Sequence, residues 1–443
     1  MNTAPQEIAY YLERLFPISR SITGNGNRET LKILNEIIPL NISEVASGTR
    51  VYDWVVPKEW NIRSAWIKNN MGEKIIDLVD SNLHIVNYSI PIHKKMSLTE
   101  LSSHIHFFKS QPDVIPYRTS YYQENWGFCI SYNSYKKKFA DDTIYEVFID
   151  SDLQPGSLTL ADFLINGGSS KEYLFSTYFC HPSMANDNLS GVLLSAFLAR
   201  ELGQMKLKNS YRFIFIPETI GAIAYCALNE TSMKKIIGGY VLSCVAGKGM
   251  YGYKQTFFEN HLIDRVVHQT FKESGINYIT YPFIPQGSDE RQYSSPGFRI
   301  PIGSVHKDKY HEYKEYHTSA DNLNFVNGEA ILKTLEIYMS IINKLEENSI
   351  VLSLNPNCEP QLGRRGLYPS VGRRTMNINK SNENVEADSE NIELDTILWL
   401  LFYGDGNSSI LDICEKHQLH FNNTLKIARN LEQKGLLKLS FNC

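Results

Sequence analysis

Imidazole and carboxylate side chains follow several predicted strands in the middle of the chain. His181 comes just after the apolar strand EYLFSTYF, and Asp187 lies six residues further on, before a predicted helix. Glu218 ends the next apolar strand, YRFIFIP, and His317 lies beyond a later one, RIPIGSV. Ligands of open α/β sheets bind outside the carboxyl ends of the strands, so these side chains fall where a site is expected. Imidazole and carboxylate are zinc donors, and a carboxylate placed there also suits a general base.

A second set of candidates lies close to these residues. Asp289 and Glu290 stand in the loop GSDERQYSSPG, and either acid would hold a substrate amine. Tyr316, beside His317, and Lys248, in the segment AGKG, complete the predicted substrate-binding residues.

Each group also has a purely structural explanation. His181 and Asp187 would cap a loop, and Glu218 would complement the dipole of a following helix. The acidic pair in GSDERQ would be a solvated turn. A shared site is favoured because the clusters all follow strands of one predicted sheet.

The spacing of apolar residues predicts the elements that position these groups. Helical spacing covers 5–16 and 27–38, and the Gly/Asn-rich segment between them would connect these helices and reach the site. From about residue 157 apolar strands alternate with helices, which predicts a mixed, largely parallel sheet with helices on both faces. We assign residues 1–50 and 156–350 to this α/β catalytic domain.

The remaining segments differ from this domain in composition and in the spacing of their apolar residues. Short strand-like runs predict an inserted β-rich module over 51–155. A polar, Asn- and Glu-rich stretch predicts a linker over 351–390. Three amphipathic helices and a terminal strand pair predict a winged-helix-like domain over 391–443.

Charge and cysteine content exclude some function classes. The 443 residues carry a net charge of −4, and the seven cysteines are scattered without a CxxC pair. Residues 391–443 contain six acids and five bases, too few bases for a duplex-binding face. With no apolar run long enough to span a bilayer, we expect a soluble, cytoplasmic protein without nucleic-acid or membrane partners. The C-terminal domain would mediate a protein contact or homo-oligomerisation.

The order His…DNxSG…PExxG…SDxxx[FY]xxxG…YHTxxD resembles the zinc exopeptidases of the aminopeptidase and glutamate-carboxypeptidase type. DNLSGV, GSDERQYSSPG and EYHTSADN carry the most specific matches. Over nearly its full length the chain also resembles a bacterial family of aminopeptidase-like proteins with a β-rich insertion and a C-terminal winged helix. SRSITGNGNRETL, VYDWVVPKEW and FIPETIG carry that wider resemblance. Members of that family are often labelled polysaccharide-biosynthesis proteins.

The resemblance implies metal ligation by His181, Asp187 and His317, with Glu218 as general base. Asp187 takes the position that bridges both ions in two-metal relatives.

The chain departs from the two-zinc pattern at two ligand positions. Thr219 stands where those enzymes have the second Glu of a pair, and the stretch 246–248 contains no carboxylate. Three donors fit one catalytic zinc with an open coordination position, so we expect one ion per chain. Lys248 is a candidate to supply the charge of the missing second ion.

These inferences predict a zinc-dependent amide hydrolase of the aminopeptidase type, acting on a peptide N-terminus or an aminoacyl conjugate. One alternative is an N-acyl amino-sugar amidase of polysaccharide biosynthesis. The other is a catalytically degenerate peptidase-like scaffold that binds a ligand and recruits a partner.

Overall fold

The computed structural model describes residues 2–141, 143–368 and 385–441. Its strands are, in chain order, β1 (Asn41–Ala46), β2 (Arg50–Val51), β3 (Trp54–Val55), β4 (Glu59–Lys68), β5 (Lys74–Asp77), β6 (Ile92–Ser97), β7 (Ile105–His106), β8 (Phe128–Cys129), β9 (Ile144–Gln154), β10 (Ser157–Ile165), β11 (Glu172–Tyr178), β12 (Ser210–Ile216), β13 (Ile236–Val241), β14 (Tyr251–Lys254), β15 (Tyr278–Tyr281), β16 (Ile302–Lys307), β17 (Ser349–Ser353), β18 (Asp405–Ser409) and β19 (Leu437–Phe441).

The α-helices are α1 (Pro5–Leu15), α2 (Asn25–Leu34), α3 (Leu98–Leu101), α4 (Tyr132–Lys138), α5 (Gly191–Leu202), α6 (Ile220–Leu228), α7 (Glu230–Met233), α8 (Leu262–Ser274), α9 (Glu290–Tyr293), α10 (Gly328–Glu347), α11 (Val385–Phe402), α12 (Ile410–His417) and α13 (Phe421–Gln433). Among the described residues, no helix combines the length and the apolar character that crossing a bilayer requires.

An eight-stranded sheet with the order β1-β10-β12-β11-β13-β16-β14-β15 forms the main framework. Its central strands β12, β11, β13 and β16 are parallel, whereas β1 and β10 pair antiparallel at one edge. Every residue of β11 and β12 is buried, which is the signature of strands covered on both faces. The predicted mixed, largely parallel α/β fold is therefore confirmed.

The inserted β-rich module has a sheet and a core of its own. Its strands pair antiparallel in the order β5-β4-β9-β6. Alternate residues of β9, such as Tyr145, Val147 and Ile149, point into an apolar core. This alternation is typical of an antiparallel sheet packed on one face.

The chain divides into two compact units, residues 1–264 with 277–338, and residues 265–276 with 339–443. The second unit contains the three-stranded sheet β18-β17-β19 and the helices α11, α12 and α13. Strand β17 begins at Ser349 and ends at Ser353, so the first residues of the predicted linker belong to this sheet. Residues 369–384 of that linker lie outside the described residues, and the predicted domain boundaries stay predictions.

Two glycines allow backbone segments of the main sheet to approach closely. A Cβ atom on Gly239 of β13 would lie 2.0 Å from the main-chain oxygen of Leu174 on β11. A Cβ atom on Gly191, at the start of α5, would lie 2.2 Å from the main-chain oxygen of Leu242. Both obstacles are main-chain atoms, so a side chain on Gly239 would push β11 and β13 apart, and one on Gly191 would push the start of α5 away from the residue that follows β13.

We expect Gly239→Ala to lower the free energy of unfolding by about 2 kcal/mol or more, because the methyl group would overpack a rigid strand pair. Urea denaturation of the variant would measure this loss. Gly297→Ala is the matched control, since a Cβ atom there meets nothing within 4 Å. Equal stability of the two variants would contradict the close approach.

Candidate metal centre

Loops at the carboxyl ends of the central strands bring His181, Asp187 and His317 together. His181 follows β11 after two residues, and Asp187 lies in the irregular turn Ala185–Ser190 that leads into α5. The peptide bond from Asp187 to Asn188 is cis. His317 lies in the long loop between β16 and α10.

The three side chains lie close enough together to form one small site. One ligand atom from each lies within 4.8 Å of the other two. Asp187 Oδ2 is 2.9 Å from His317 Nε2 and 3.4 Å from His181 Nδ1. His181 and Asp187 are buried, and the His317 side chain is 34% exposed, so solvent reaches the cluster from one side.

Two of these ligand atoms have no hydrogen-bond partner among the residues that the structure describes. Asp187 Oδ2 and His317 Nε2 are both buried at the atom level, and the contact between them lacks hydrogen-bond geometry. Buried polar atoms are nearly always paired, so unpaired lone pairs that face each other suit a cation. Imidazole nitrogen and carboxylate oxygen are donor types that zinc accepts. The residues present therefore fit a metal ion.

The other oxygen of Asp187 is already engaged. Asp187 Oδ1 accepts a 2.5 Å hydrogen bond from the Tyr178 hydroxyl, which also lies 2.7 Å from Ser243 Oγ. Cys244 Sγ lies 3.8 Å from the same oxygen. In a two-metal site this oxygen would face the second ion, and here hydroxyl and thiol groups surround it instead.

Electrostatics inside the cluster favour an ion pair. Burial alone would raise the pKa of Asp187, but the imidazoles of His181 and His317 hold it well below its usual range. Burial alone would lower the pKa of His181, whereas Tyr117 and Asp187 raise it well above its ordinary value. A cation at this centre would therefore have to displace a proton from imidazole.

Polar side chains hold the turn that carries Asp187. The Asp321 carboxylate accepts hydrogen bonds from the main-chain N–H groups of Asn186 and Asp187, at 2.6 and 2.9 Å. Asn188 Nδ2 donates to the main-chain oxygens of Tyr178 and Leu242, and its Oδ1 accepts from the Cys244 N–H. The turn is therefore tied to the ends of two neighbouring strands and to the His317 loop.

Arg20 supports His181 from the N-terminal segment between α1 and α2. Its guanidinium group is fully buried and donates to the main-chain oxygens of His181 and Leu15, at 3.0 and 2.6 Å. Burial lowers the pKa of Arg20 to about 10, which leaves it charged at neutral pH. The predicted approach of this Gly/Asn-rich segment to the site thus has a specific contact.

The inserted module reaches the centre through Tyr117. The Tyr117 ring packs against the rings of His181 and His317, with centroids 5.2 and 5.1 Å away. The Tyr117 N–H donates to the main-chain oxygen of His317, and the Ile115 N–H donates to Ser319 Oγ. The module therefore fixes the loop that carries one candidate ligand.

The structure places the predicted base beside the cluster. Glu218 follows β12, and its Oε2 lies 3.6 Å from His181 Nε2. The Glu218 side chain is 27% exposed, so it is open to a water molecule or a substrate. Tyr316 stacks on the His317 ring at 4.0 Å and is thus in contact with a candidate ligand.

The acidic pair Asp289–Glu290 is not a solvated turn, because both residues are buried. Glu290 Oε2 lies 3.2 Å from the buried ammonium of Lys254, and Asp289 Oδ1 accepts from the Thr219 N–H at 2.9 Å. Burial, and then the charge of Glu218, raise the pKa of Asp289 well above its ordinary value.

The two positions that depart from the two-metal pattern have other contacts. Thr219 Oγ1 accepts a 3.4 Å hydrogen bond from Arg291, and Lys248 is exposed, with its ammonium donating to the main-chain oxygen of Asn324. The suggested electrostatic role of Lys248 stays a prediction.

Sequence reasoning did not identify Arg20, Tyr117, Tyr178 or Asp321 as parts of this centre. Asp321 had a signal, since it ends the YHTxxD pattern. Arg20 and Tyr117 are distant along the chain from the residues they contact. Tyr178 lies only nine residues before Asp187, but an apolar strand ending in Tyr gives no sign of a hydrogen bond to a ligand.

The fold and the arrangement of these strand-end loops define an aminopeptidase-like α/β protein. The chain belongs to the family described as a domain of unknown function (DUF4910), whose profile matches residues 10–348. A winged helix-turn-helix profile matches residues 349–439, which confirms the predicted C-terminal winged helix.

Comparison with individual proteins supports this assignment. A Clostridium acetobutylicum protein is 46% identical over 433 residues, covering 98% of this chain and 96% of its own. Its provisional name describes a polysaccharide biosynthesis protein with an aminopeptidase-like domain. A C. acetobutylicum crystal structure, provisionally described as a peptidase, has a TM-score of 0.90 at 44% identity and covers 98% of this chain and 96% of that one.

A Bacillus subtilis zinc aminopeptidase has the same fold, with a TM-score of 0.56 at 11% identity. The match covers 76% of this chain and 93% of that one.

Because Asn188 satisfies several buried main-chain groups at once, we expect Asn188→Ala to lower the free energy of unfolding by about 3 kcal/mol. Denaturation of the metal-free protein would isolate this effect from any ion. Asn133→Ala removes an exposed amide that bonds only to Asp113 and should change stability by less than about 0.5 kcal/mol. A comparable loss in both variants would argue against a special role of Asn188.

Proposed function

We propose that this protein is a zinc-dependent amide hydrolase with one ion per chain. The observation that carries the proposal is the convergence of His181, Asp187 and His317 with unpaired ligand atoms. Two imidazoles and one carboxylate with an open fourth position are a recurrent catalytic zinc set. The engagement of Asp187 Oδ1 by Tyr178 supports one ion rather than two.

In this proposal the three side chains hold zinc, which when bound polarises a scissile carbonyl and makes water more acidic. Glu218 takes the proton from the attacking water and later gives it to the departing amine nitrogen. Each turnover then returns Glu218 to its starting protonation state. Arg20, Asn188 and Asp321 keep the loops in place, and Tyr117 shields the imidazoles on the side of the inserted module.

The substrate classes that the sequence left open are a peptide N-terminus, an aminoacyl conjugate and an N-acylated amino sugar. Asp289 and Glu290, the acids that the sequence predicts for holding a free substrate amine, are buried, and Glu290 faces Lys254. Their burial favours a substrate without a free amine, such as an N-acylated amino sugar. The polysaccharide name of the C. acetobutylicum relative supports the amino-sugar class.

For the C-terminal winged helix we propose a role in protein contact. Arg429 of α13 pairs with Glu347 at 2.7 Å, and Lys434, the residue after α13, donates to the main-chain oxygen of Arg365. Two of the few bases of this domain therefore already have partners. A protein partner or a second copy of the chain fits this balanced charge better than a nucleic acid does.

Metal content is the direct test of the ion site. We expect about one zinc per chain in the purified protein and less than about a tenth of that in His181→Ala, His317→Ala and Asp187→Asn, because each change removes one of only three donors. Elemental analysis after dialysis against a weak chelator would measure it. His93→Ala is the control, since this exposed histidine pairs with Glu146 and packs on Phe148, outside the centre. Zinc retained by all three variants would refute the ligand set.

Activity separates the hydrolase from a degenerate scaffold. We expect Glu218→Gln to keep its zinc but to lose at least about a hundredfold in kcat/KM, because the amide cannot accept a proton. The assay would follow release of amine from N-acyl amino sugars and aminoacyl amides. A zinc-loaded wild-type protein that hydrolyses none of these compounds, with Glu218→Gln indistinguishable from it, would favour the scaffold.

A further inference from the structure

A chain of aromatic side chains connects the metal centre to the surface of the inserted module. Tyr117, which packs on both imidazoles, has its hydroxyl 2.9 Å from that of Tyr121. The rings of Tyr121 and Tyr122 are 6.3 Å apart, and Tyr122 meets Trp54 edge to face at 5.3 Å. The aromatic groups therefore extend without a break from the candidate ligands to the outside.

The outer members of this chain are exposed. Trp54 is 37% exposed and Tyr122 is 46% exposed. Tyr52, on the same hairpin as Trp54, is 47% exposed and touches Phe298 edge to face. Contiguous exposed aromatic surface beside a reactive centre is typical of a ligand-binding site rather than of a core.

The backbone is strained at two of these aromatic residues. Tyr52 and Tyr122 have φ angles of 55° and 67°, in the left-handed region that favours glycine. Bulky residues are strained there, and such strain concentrates at ligand-binding positions.

The charges around the aromatic surface restrict the kinds of ligand that can bind there. Asp53 and Glu124 lie beside the exposed rings, but Arg50 donates to the main-chain oxygen of Tyr52 and Lys58 pairs with Glu124 at 3.2 Å. Desolvation and then the neighbouring groups, Asp289 and Glu218 among them, raise the pKa of Tyr122, so its hydroxyl lies in the field of the candidate base. Charges of both signs thus lie around the rings, a balance that favours a neutral sugar ring over a strongly charged ligand.

We propose that Trp54 and Tyr122 form a platform on which one ring of an N-acylated amino-sugar oligosaccharide stacks while the acyl amide of a neighbouring ring reaches the metal centre. This inference rests on the proposed hydrolase and names its substrate class. A pyranose ring has an apolar C–H face and a rim of hydroxyls. The platform offers matching aromatic faces with phenol and indole groups at their edges. An apolar peptide side chain would instead require an enclosed pocket, which an open surface does not supply.

Binding, rather than turnover, tests the platform. Calorimetric titration of the Glu218→Gln protein with di-N-acetylchitobiose avoids hydrolysis and measures affinity directly. We expect Trp54→Ala, in the Glu218→Gln background, to weaken this binding at least about tenfold, the equivalent of about 1.4 kcal/mol. Tyr122→Leu should act in the same direction and serves as the second variant.

Trp66→Ala is the matched control, because Trp66 is a partly exposed tryptophan of the same module that stacks on Phe148 instead. Its affinity for the disaccharide should stay within about twofold of the parent. Cellobiose, which has the same ring face without the acetamido group, should bind more weakly and keep its dependence on Trp54.

Several results would overturn the platform. The first is the absence of disaccharide binding at about 10 mM. The second is equal binding of the disaccharide by the Trp54→Ala and Trp66→Ala proteins. The third is an affinity for phenylalaninamide that depends on Trp54, with no such dependence for the disaccharide. The failure of the hydrolase is distinguishable from these. Trp54-dependent disaccharide binding by a protein that hydrolyses nothing would retain the platform and remove only the reaction.

Discussion

A carboxylate fully withdrawn from water is the constraint on which the centre depends. Asp187 has no exposed surface, and a buried charge is tolerated only when it is paired and hydrogen-bonded. Tyr178 satisfies one oxygen, and the other faces two imidazoles. The loops of His181 and His317 must therefore stay where they are, since the loss of either imidazole leaves part of the charge uncompensated.

That requirement explains why the surrounding loops are tied by polar rather than apolar contacts. Arg20, Asn188 and Asp321 each bond to main-chain atoms of the ligand-bearing segments. Main-chain groups at strand ends lack ladder partners, so side chains from other segments have to satisfy them. The same bonds position the backbone from which the candidate ligands project.

The inserted module takes part in this arrangement. Tyr117 packs against both imidazoles, and the module's main chain bonds to the His317 loop. Its aromatic residues also extend the surface of the centre outward as far as Trp54. The inserted module thus contributes side chains to the surroundings of the centre.

The sequence by itself determined the fold class, because continuous apolar strands alternating with helices admit few arrangements other than a sheet covered on both faces. It also determined that His181, Asp187 and His317 follow strands of one sheet, since parallel strands end at a common edge. Only the tertiary structure decided which partners complete the centre. Arg20 and Tyr117 are far from these residues along the chain, and their contacts arise from packing that no local pattern encodes. The tertiary structure also decided that Asp289 and Glu290 are buried. Two adjacent acids in a predicted turn are equally compatible with a solvated loop, and only the packing of the surrounding chain distinguishes the two cases.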